Sequence, residues 1–379
     1  MRYGMNPHQA AEIVDTGPLT VRSGEPSLIN MLDAINSWLL VSEAAAATGR
    51  AAAASFKHVS PAGAALAGQV DGVAADVWGV DPDGVDPVTS AYVRARDADP
   101  KSSFGDVVAV SEPVTMELAT LLSRVVSDAV VAPGFEPGAM AILHKKQSGR
   151  FLVVEADPTL DPPVEEVREV GGVRLRQDRD RAPITAELLR AEPPLAPGVM
   201  VDGLLGMVTA RYTQSNSVVV ILDGASVGVG AGQQNRVDCV RLALAKARVW
   251  SLRRHPKVRG LPTIPGMRRQ DRLNWQMRFA EQAMTPGQVD EFEDLFGAQA
   301  AAEFSAAGWR EEWMSRWSGL TMVSDGFLPF RDNIDVAAAG GVTTVIEPGG
   351  SAVRQTEIAE AARELGLRHL TTGLRLFHH

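Results

Sequence analysis

The pair Lys57-His58 stands in the run Ser55-Phe56-Lys57-His58-Val59-Ser60-Pro61-Ala62-Gly63, after an apolar stretch and before a Pro/Gly turn. That position puts both side chains at the end of an element, and element ends that face a cleft are where catalytic groups collect. A neutral imidazole takes a proton near neutral pH, while an adjacent ammonium stabilises developing negative charge or protonates a leaving amine. The pair also reads as a surface lysine beside a partly buried histidine. Farther along, Tyr212-Thr213-Gln214-Ser215-Asn216 sets five polar side chains ahead of a strand that opens at Ser217. Asn216 there is suited to orient a carbonyl or amide, and turn and capping chemistry is the other reading. Phe327-Leu328-Pro329-Phe330-Arg331-Asp332-Asn333 combines aromatic faces, a fixed turn and polar groups, which suits either stacking on a flat ring or packing in a core. In the terminal run Leu374–His379, Arg375 is a fork for a phosphate.

Several chemistries are absent. No His-x-Glu pairs with a Pro-Cys-x-x-Cys, and there is no His-Glu-x-x-His, Walker A or Gly-x-Ser-x-Gly pattern. Zinc deaminase, zincin, phosphate-loop and nucleophile-elbow chemistries are therefore disfavoured, which leaves acyl or proton transfer by side chains, or plain binding. Cys239 is the single cysteine, so neither an intrachain disulfide nor a cysteine zinc site can form, and its place on an amphipathic helix reads as a packed thiol. A net charge of -9 argues against non-specific nucleic-acid binding, so an anionic ligand must be met by local clusters. With no basic start followed by an apolar core, and no apolar run of membrane-spanning length, the expected location is cytoplasmic, without a membrane partner.

A chain of 379 residues that is 45% apolar buries a large core and divides by default into two domains. Ser42–Ala54 reads as helix and Asp106–Val110 as a buried strand. Prolines recur at Pro158–Pro163 and Pro193–Pro197 in acidic surroundings, read as extended surface segments, and place a boundary near residue 200. Ser217–Leu222, Asp223-Gly224 and Ser226–Val229 give strand, turn and strand. Gly228-Val229-Gly230-Ala231-Gly232 then opens onto a helix with Val237, Val240, Leu244 and Ala247 at helical spacing. Such a turn brings backbone N–H groups near an anion, or serves tight packing. From Leu252 to about Trp317 the composition turns to Arg, Gln, Glu, Met and Trp, as in a helical insert. Gly341–Ile346 then reads as strand and Glu357–Leu365 as a helix stopped by Gly366. No short repeat is visible, although the halves are compatible with distant duplication.

Eight stretches, in order, resemble the formyltransferase part of the bifunctional purine enzyme family that also closes IMP: Arg2–Gln9, Lys57–Gly63, Ser102–Asp106, Ser127-Asp128 with Ala132-Pro133-Gly134, Tyr212–Ser217, Gly230–Arg236, Pro329–Asn333 and Leu374–His379. The resemblance implies an α/β fold of two cytidine-deaminase-like α/β/α lobes, 1–200 and 201–379, with a small helical insert at about 252–317 in the second. It implies transfer of a formyl group from 10-formyltetrahydrofolate to the amine of the ribotide AICAR, by a homodimer with shared active sites, with no zinc and with a structural potassium ion. By the same carry-over, Lys57, His58 and Asn216 are the catalytic residues. Arg2, Tyr3, Gly105, Asp128, Arg236, Phe327 and Arg375 join His58 and Asn216 around AICAR. Val237, Pro329, Phe330, Asp332, Ser351 and Ala352 fall at folate positions, while Lys101 stands where an apolar residue is expected. Because Met1 directly precedes Arg2, where bifunctional relatives carry about 200 further residues, the sequence predicts formyl transfer without cyclohydrolase activity and a separate IMP cyclohydrolase. Rival readings are a paralogue acting on a related ribotide, supported by Lys101, a non-catalytic AICAR-binding protein, and a formate ligase, which lacks a phosphate loop.

Overall fold

Glycines and prolines close the elements and apolar runs fill them, which in the computed structural model gives an α/β fold. The structure describes residues 1–350 and 352–379, with side chains throughout except at positions 352 and 353. The first half comprises β1 (Leu19–Ser23), α1 (Leu28–Thr48), β2 (Ala52–Lys57), β3 (Ser60–Leu66), α2 (Gly72–Trp78), α3 (Pro87–Asp97), β4 (Asp106–Val110), α4 (Met116–Arg124), β5 (Ser127–Ala132), α5 (Ala139–Lys145), β6 (Leu152–Ala156), β7 (Glu165–Val170) and β8 (Val173–Asp178). The second comprises α6 (Pro197–Arg211), β9 (Val218–Leu222), β10 (Ala225–Gly230), α7 (Arg236–Leu252), α8 (Pro256–Arg259), α9 (Arg269–Glu281), α10 (Pro286–Phe296), α11 (Ala298–Ser305), α12 (Trp309–Ser315), β11 (Leu320–Ser324), α13 (Asp332–Ala339), β12 (Val342–Glu347), α14 (Ala352–Glu364) and β13 (Arg368–Thr371).

Among the described residues one eleven-stranded sheet runs β1-β6-β5-β4-β2-β3-β10-β9-β11-β12-β13. Its two halves repeat one plan. In the first, a helix leads into the β2–β3 hairpin, β4 pairs antiparallel to β2, and β5 and β6 follow in parallel. In the second, α6 leads into the β9–β10 hairpin, β11 pairs antiparallel to β9, and β12 and β13 follow in parallel. The halves meet where β3 and β10 pair antiparallel at Ala65 and Ala225. Residue 200 itself falls within α6.

Alternate strand residues feed opposite faces. On one face Ala52, Ala54 and Phe56 pack with Trp38 and Val41 of α1 and Leu204 and Val208 of α6, a single cluster that joins both halves. On the other, Ala53, Val108 and Val130 meet α3, α4 and α5. There Val218 and Val220 meet α7, α13 and α14. The 252–317 segment is helical, as its composition predicts, and closes its own core around Trp275, Phe279, Phe292, Phe304 and Trp309. It is tied back to the body by Asp97, whose carboxylate meets Arg253 at 2.7 Å and Arg254 at 2.9 Å.

Two expectations change. The helix read at Ser42–Ala54 begins earlier and ends at Thr48, where Gly49 caps it at φ 69°, and Ala52–Ala54 belong to β2. Alanine favours helix weakly, and burial between helices on both faces overrides that preference, since a methyl lets α1 and α3 approach closely. Between the two proline-rich segments the chain also forms the β7–β8 hairpin, turned by Gly171-Gly172 and exposed along both strands. Among the described residues no helix is long and apolar enough to cross a membrane.

The helices over the central hairpins leave no room for a side chain. A Cβ at Gly63 would overlap the Ala95 carbonyl oxygen of α3, and one at Gly228 the Ala243 carbonyl oxygen of α7. Gly63→Ala and Gly228→Ala are each expected to lower stability in urea denaturation by about 1–3 kcal/mol. In contrast Gly287→Ala, at an open position in α10, should match or exceed the wild type.

Candidate active site

The site is built at the end of the sheet where the β2–β3 hairpin turns. Lys57 closes β2, and its ammonium donates to the carbonyl oxygens of Phe104 at 3.0 Å and Gly105 at 2.8 Å. Gly105 has a φ of 74°, and a Cβ there would lie 2.9 Å from the Lys57 Nζ and 3.6 Å from both Asp128 carboxylate oxygens. Glycine therefore lets the ammonium and the carboxylate face the same space. Partial burial pushes the Asp128 carboxyl above its ordinary value, with Lys57 and Arg2 drawing it back and Asp106 adding to the rise. Beneath this group Asp106 is fully buried and accepts from Arg96 at 2.6 Å, Ser55 Oγ at 2.6 Å and Tyr92 at 3.2 Å. His58 is exposed at the turn, with φ 53°, followed by Val59 at φ 59°.

The second half brings its polar run to the same end. Gln214 N–H donates to Ser60 Oγ at 3.3 Å and Gly232 N–H to the Gln214 carbonyl at 2.9 Å. Asn216 Oδ1 accepts from the Arg236 guanidinium at 2.8 Å, and its Nδ2 donates to the Gln233 carbonyl at 3.1 Å. Arg236 is buried, donates to the Ser217 carbonyl at 3.0 Å and forms an ion pair with the fully buried Asp325. Asp325 also accepts from Ser215 Oγ at 2.6 Å and Ser217 N–H at 3.0 Å. The terminal run is stitched on by Leu376 N–H to the Asp325 carbonyl at 2.9 Å and by Ser215 N–H to the His378 carbonyl at 3.0 Å. Burial, with Arg168 of the β7–β8 hairpin adding to it, lowers the His378 pKa.

Around this end several rings stay in solvent: Phe104, Phe327, Phe330 and Phe377 are all exposed. Arg375 lies over the Phe377 ring at 4.7 Å. Arg2 donates to Asn30 at 2.9 Å and lies 5.5 Å from the centre of the Tyr3 ring. Asp332 opens α13 and is exposed, while Val237 is half-buried in the first turn of α7. Ser351 lies outside the described residues, and Ala352 begins α14. Lys101 lines a cavity of about 530 Å³ with Asp99, Lys246, Trp250 and Met277, between the loop after α3 and helices α7 and α9. Among the described residues no group of three or more His, Cys, Asp or Glu side chains is placed to hold a metal ion.

Cys239 is buried, its thiol pushed up by burial and donating to the Asn216 carbonyl at 3.1 Å. Sequence reading missed Asp33, Asp325 and Glu347. Glu347 is buried, accepts the Leu328 N–H at 2.8 Å and holds His369 at 2.9 Å, so it fixes the loop that carries Phe327. Their signal was available: Asp325 and Glu347 are acids at the close of apolar strands, and Asp33 interrupts the apolar run Met31-Leu32-Asp33-Ala34-Ile35.

Residues 1–246 match the family described as AICARFT/IMPCHase bienzyme. Over its whole length the chain is 32% identical to the bifunctional purine biosynthesis protein PurH of Roseobacter denitrificans, 31% to that of Cereibacter sphaeroides and 30% to that of Ruegeria pomeroyi. It spans 59% of the length of each of these relatives.

The Arg236–Asp325 pair ties strand β11 to the start of α7, and removing one partner strands the other charge in the interior. Asp325→Ala is expected to cost about 3–5 kcal/mol in denaturant melts. Arg331→Ala, which breaks solvent-exposed pairs with Asp335 and Glu364, should cost less than about 1 kcal/mol.

Proposed function

Because the chain belongs to the AICARFT/IMPCHase bienzyme family, we propose that it transfers the formyl group of 10-formyltetrahydrofolate to the 5-amino group of AICAR, giving formyl-AICAR and tetrahydrofolate. The observation that carries this reading is the convergence of Lys57, His58, Gly105, Asp128, Asn216 and Arg236 at one end of the sheet, from both halves of the chain. The acceptor amine is a poor nucleophile because its lone pair is delocalised into the ring and towards the carboxamide. In this reading His58, which is exposed at the turn, accepts or relays the amine proton as the nitrogen attacks the formyl carbon. An ammonium has three N–H donors, and Lys57 uses two on the Phe104 and Gly105 carbonyls, which leaves one for the oxygen of the tetrahedral intermediate or for the departing folate nitrogen. Asn216 has one firm amide contact at 3.1 Å and a loose one at 3.5 Å to Gln234, so its second N–H is available to the same oxygen.

Arg2, Tyr3 and Arg375 serve the phosphate and ribose in this reading, and Phe327 the imidazole. Pro329, Phe330, Asp332, Val237, Ser351 and Ala352 serve the folate. The exposed phenyl rings around the site support its completion by a second copy of the chain.

Release of tetrahydrofolate, followed by absorbance with and without AICAR and by mass analysis of the nucleotide, tests the proposal. AICAR-dependent release with a formyl-AICAR product is expected. A folded protein that binds folate but gives no AICAR-dependent release would overturn it. Lys57→Ala, shown to be folded, should lose about 100-fold or more in turnover.

A further inference from the structure

Asp33 is buried in α1 under the turn that carries His58. Its Oδ1 accepts the Val59 N–H at 2.6 Å. An equivalent arrangement recurs in the other half. Asp202 of α6 is buried and accepts the Asp223 N–H at 3.2 Å and the Gly224 N–H at 2.6 Å. Each acid is the sixth residue of its helix, and each sits under a two-residue hairpin turn. In both turns the central residues have positive φ, 53° and 59° at His58 and Val59, 50° and 73° at Asp223 and Gly224. The two turns lie at opposite ends of the sheet, because β3 and β10 pair antiparallel with Leu66 beside Gly224.

What differs is the turn chemistry. Asp-Gly adopts this geometry by preference, since glycine takes positive φ at no steric cost. A β-branched valine does not, and its presence there marks a conformation imposed from outside the turn. In the first hairpin the group bonded to the turn from outside is the Asp33 carboxylate. Because Lys57 and His58 are the residues leading into and forming that turn, its geometry sets where both side chains point.

We propose that Asp33 is a positioning residue for formyl transfer: by accepting the Val59 N–H it holds the strained turn that aims Lys57 and His58, whereas Asp202 serves the fold alone. The role in transfer rests on the function proposed above. The strained turn and its buried acceptor stand independently of it.

The test compares Asp33→Ala, Asp202→Ala and the double variant Asp33→Ala/Val59→Gly by kcat, by KM for the folate, and by amide hydrogen exchange across residues 56–61. Asp33→Ala should lower kcat by about 10–100-fold, the scale of a small misplacement of reacting groups, with KM little changed and exchange in the turn accelerated. Adding Val59→Gly should restore most of both, since glycine holds the turn unaided. Asp202→Ala should keep the wild-type kcat. Wild-type turnover in Asp33→Ala, an equal loss in Asp202→Ala, or no recovery with Val59→Gly would each overturn the proposal. Should Asp33→Ala not fold, Asp33→Asn keeps one acceptor oxygen: a partial loss repaired by Val59→Gly is expected, and an unrepaired one counts against the idea. If the wild type itself shows no AICAR-dependent release, the function reading fails alone. Hydrogen exchange then still decides whether Asp33 holds the turn, unchanged exchange in Asp33→Ala being the negative result.

Discussion

Two helices lie so close to the middle of the sheet that their backbone carbonyls occupy the space of a side chain. Gly63 faces Ala95 of α3, and Gly228 faces Ala243 of α7. This closeness fixes the depth at which each central hairpin sits and lets β3 and β10 pair as the seam between the halves. Once the seam is set, the antiparallel pairing sends the two hairpin turns to opposite ends. The β2–β3 turn then falls beside the polar run that enters β9, and residues far apart in the chain share one surface.

That surface is held by buried charge. Asp106 under Lys57, Asp325 under Asn216 and Glu347 under Phe327 each satisfy several donors. Such groups contribute little net stability over well-packed apolar residues, because desolvation offsets their attraction. Their consequence is geometric: each holds a loop whose own sequence would leave it free. The exposed side chains proposed for the site, His58 and the phenyl rings, are carried on frames whose hydrogen-bonding capacity is met from below.

The repeat between halves clarifies which features belong to the fold and which to the site. A helical acid under a hairpin turn occurs in both, as does a glycine under the covering helix, so these belong to the shared plan. Lys57-His58 at one turn and Asp223-Gly224 at the other mark the divergence. One turn carries the proposed catalytic pair on a backbone with positive φ at a β-branched residue, and the other keeps the residues that suit the turn.

Much was legible from the chain alone. The β9–β10 hairpin followed from Asp-Gly between apolar runs, the helical insert from its loss of strand-like residues, and the buried thiol of Cys239 from helical spacing, because each depends on local preference or periodicity. The motif residues Lys57, Asn216 and Arg236 were also visible as chemistry without an address. What local preference could not give was the strand identity of Ala52–Ala54, the β7–β8 hairpin, and the partners Asp33, Asp325 and Glu347. Strand pairing and burial are decided by groups distant in sequence, so an alanine run that favours helix in isolation becomes a strand once helices cover both its faces. By itself the sequence determined which side chains can do chemistry. The tertiary structure decided which of them meet, because the seam between β3 and β10, with the α1–α6 core across it, brings the two halves to one end of the sheet.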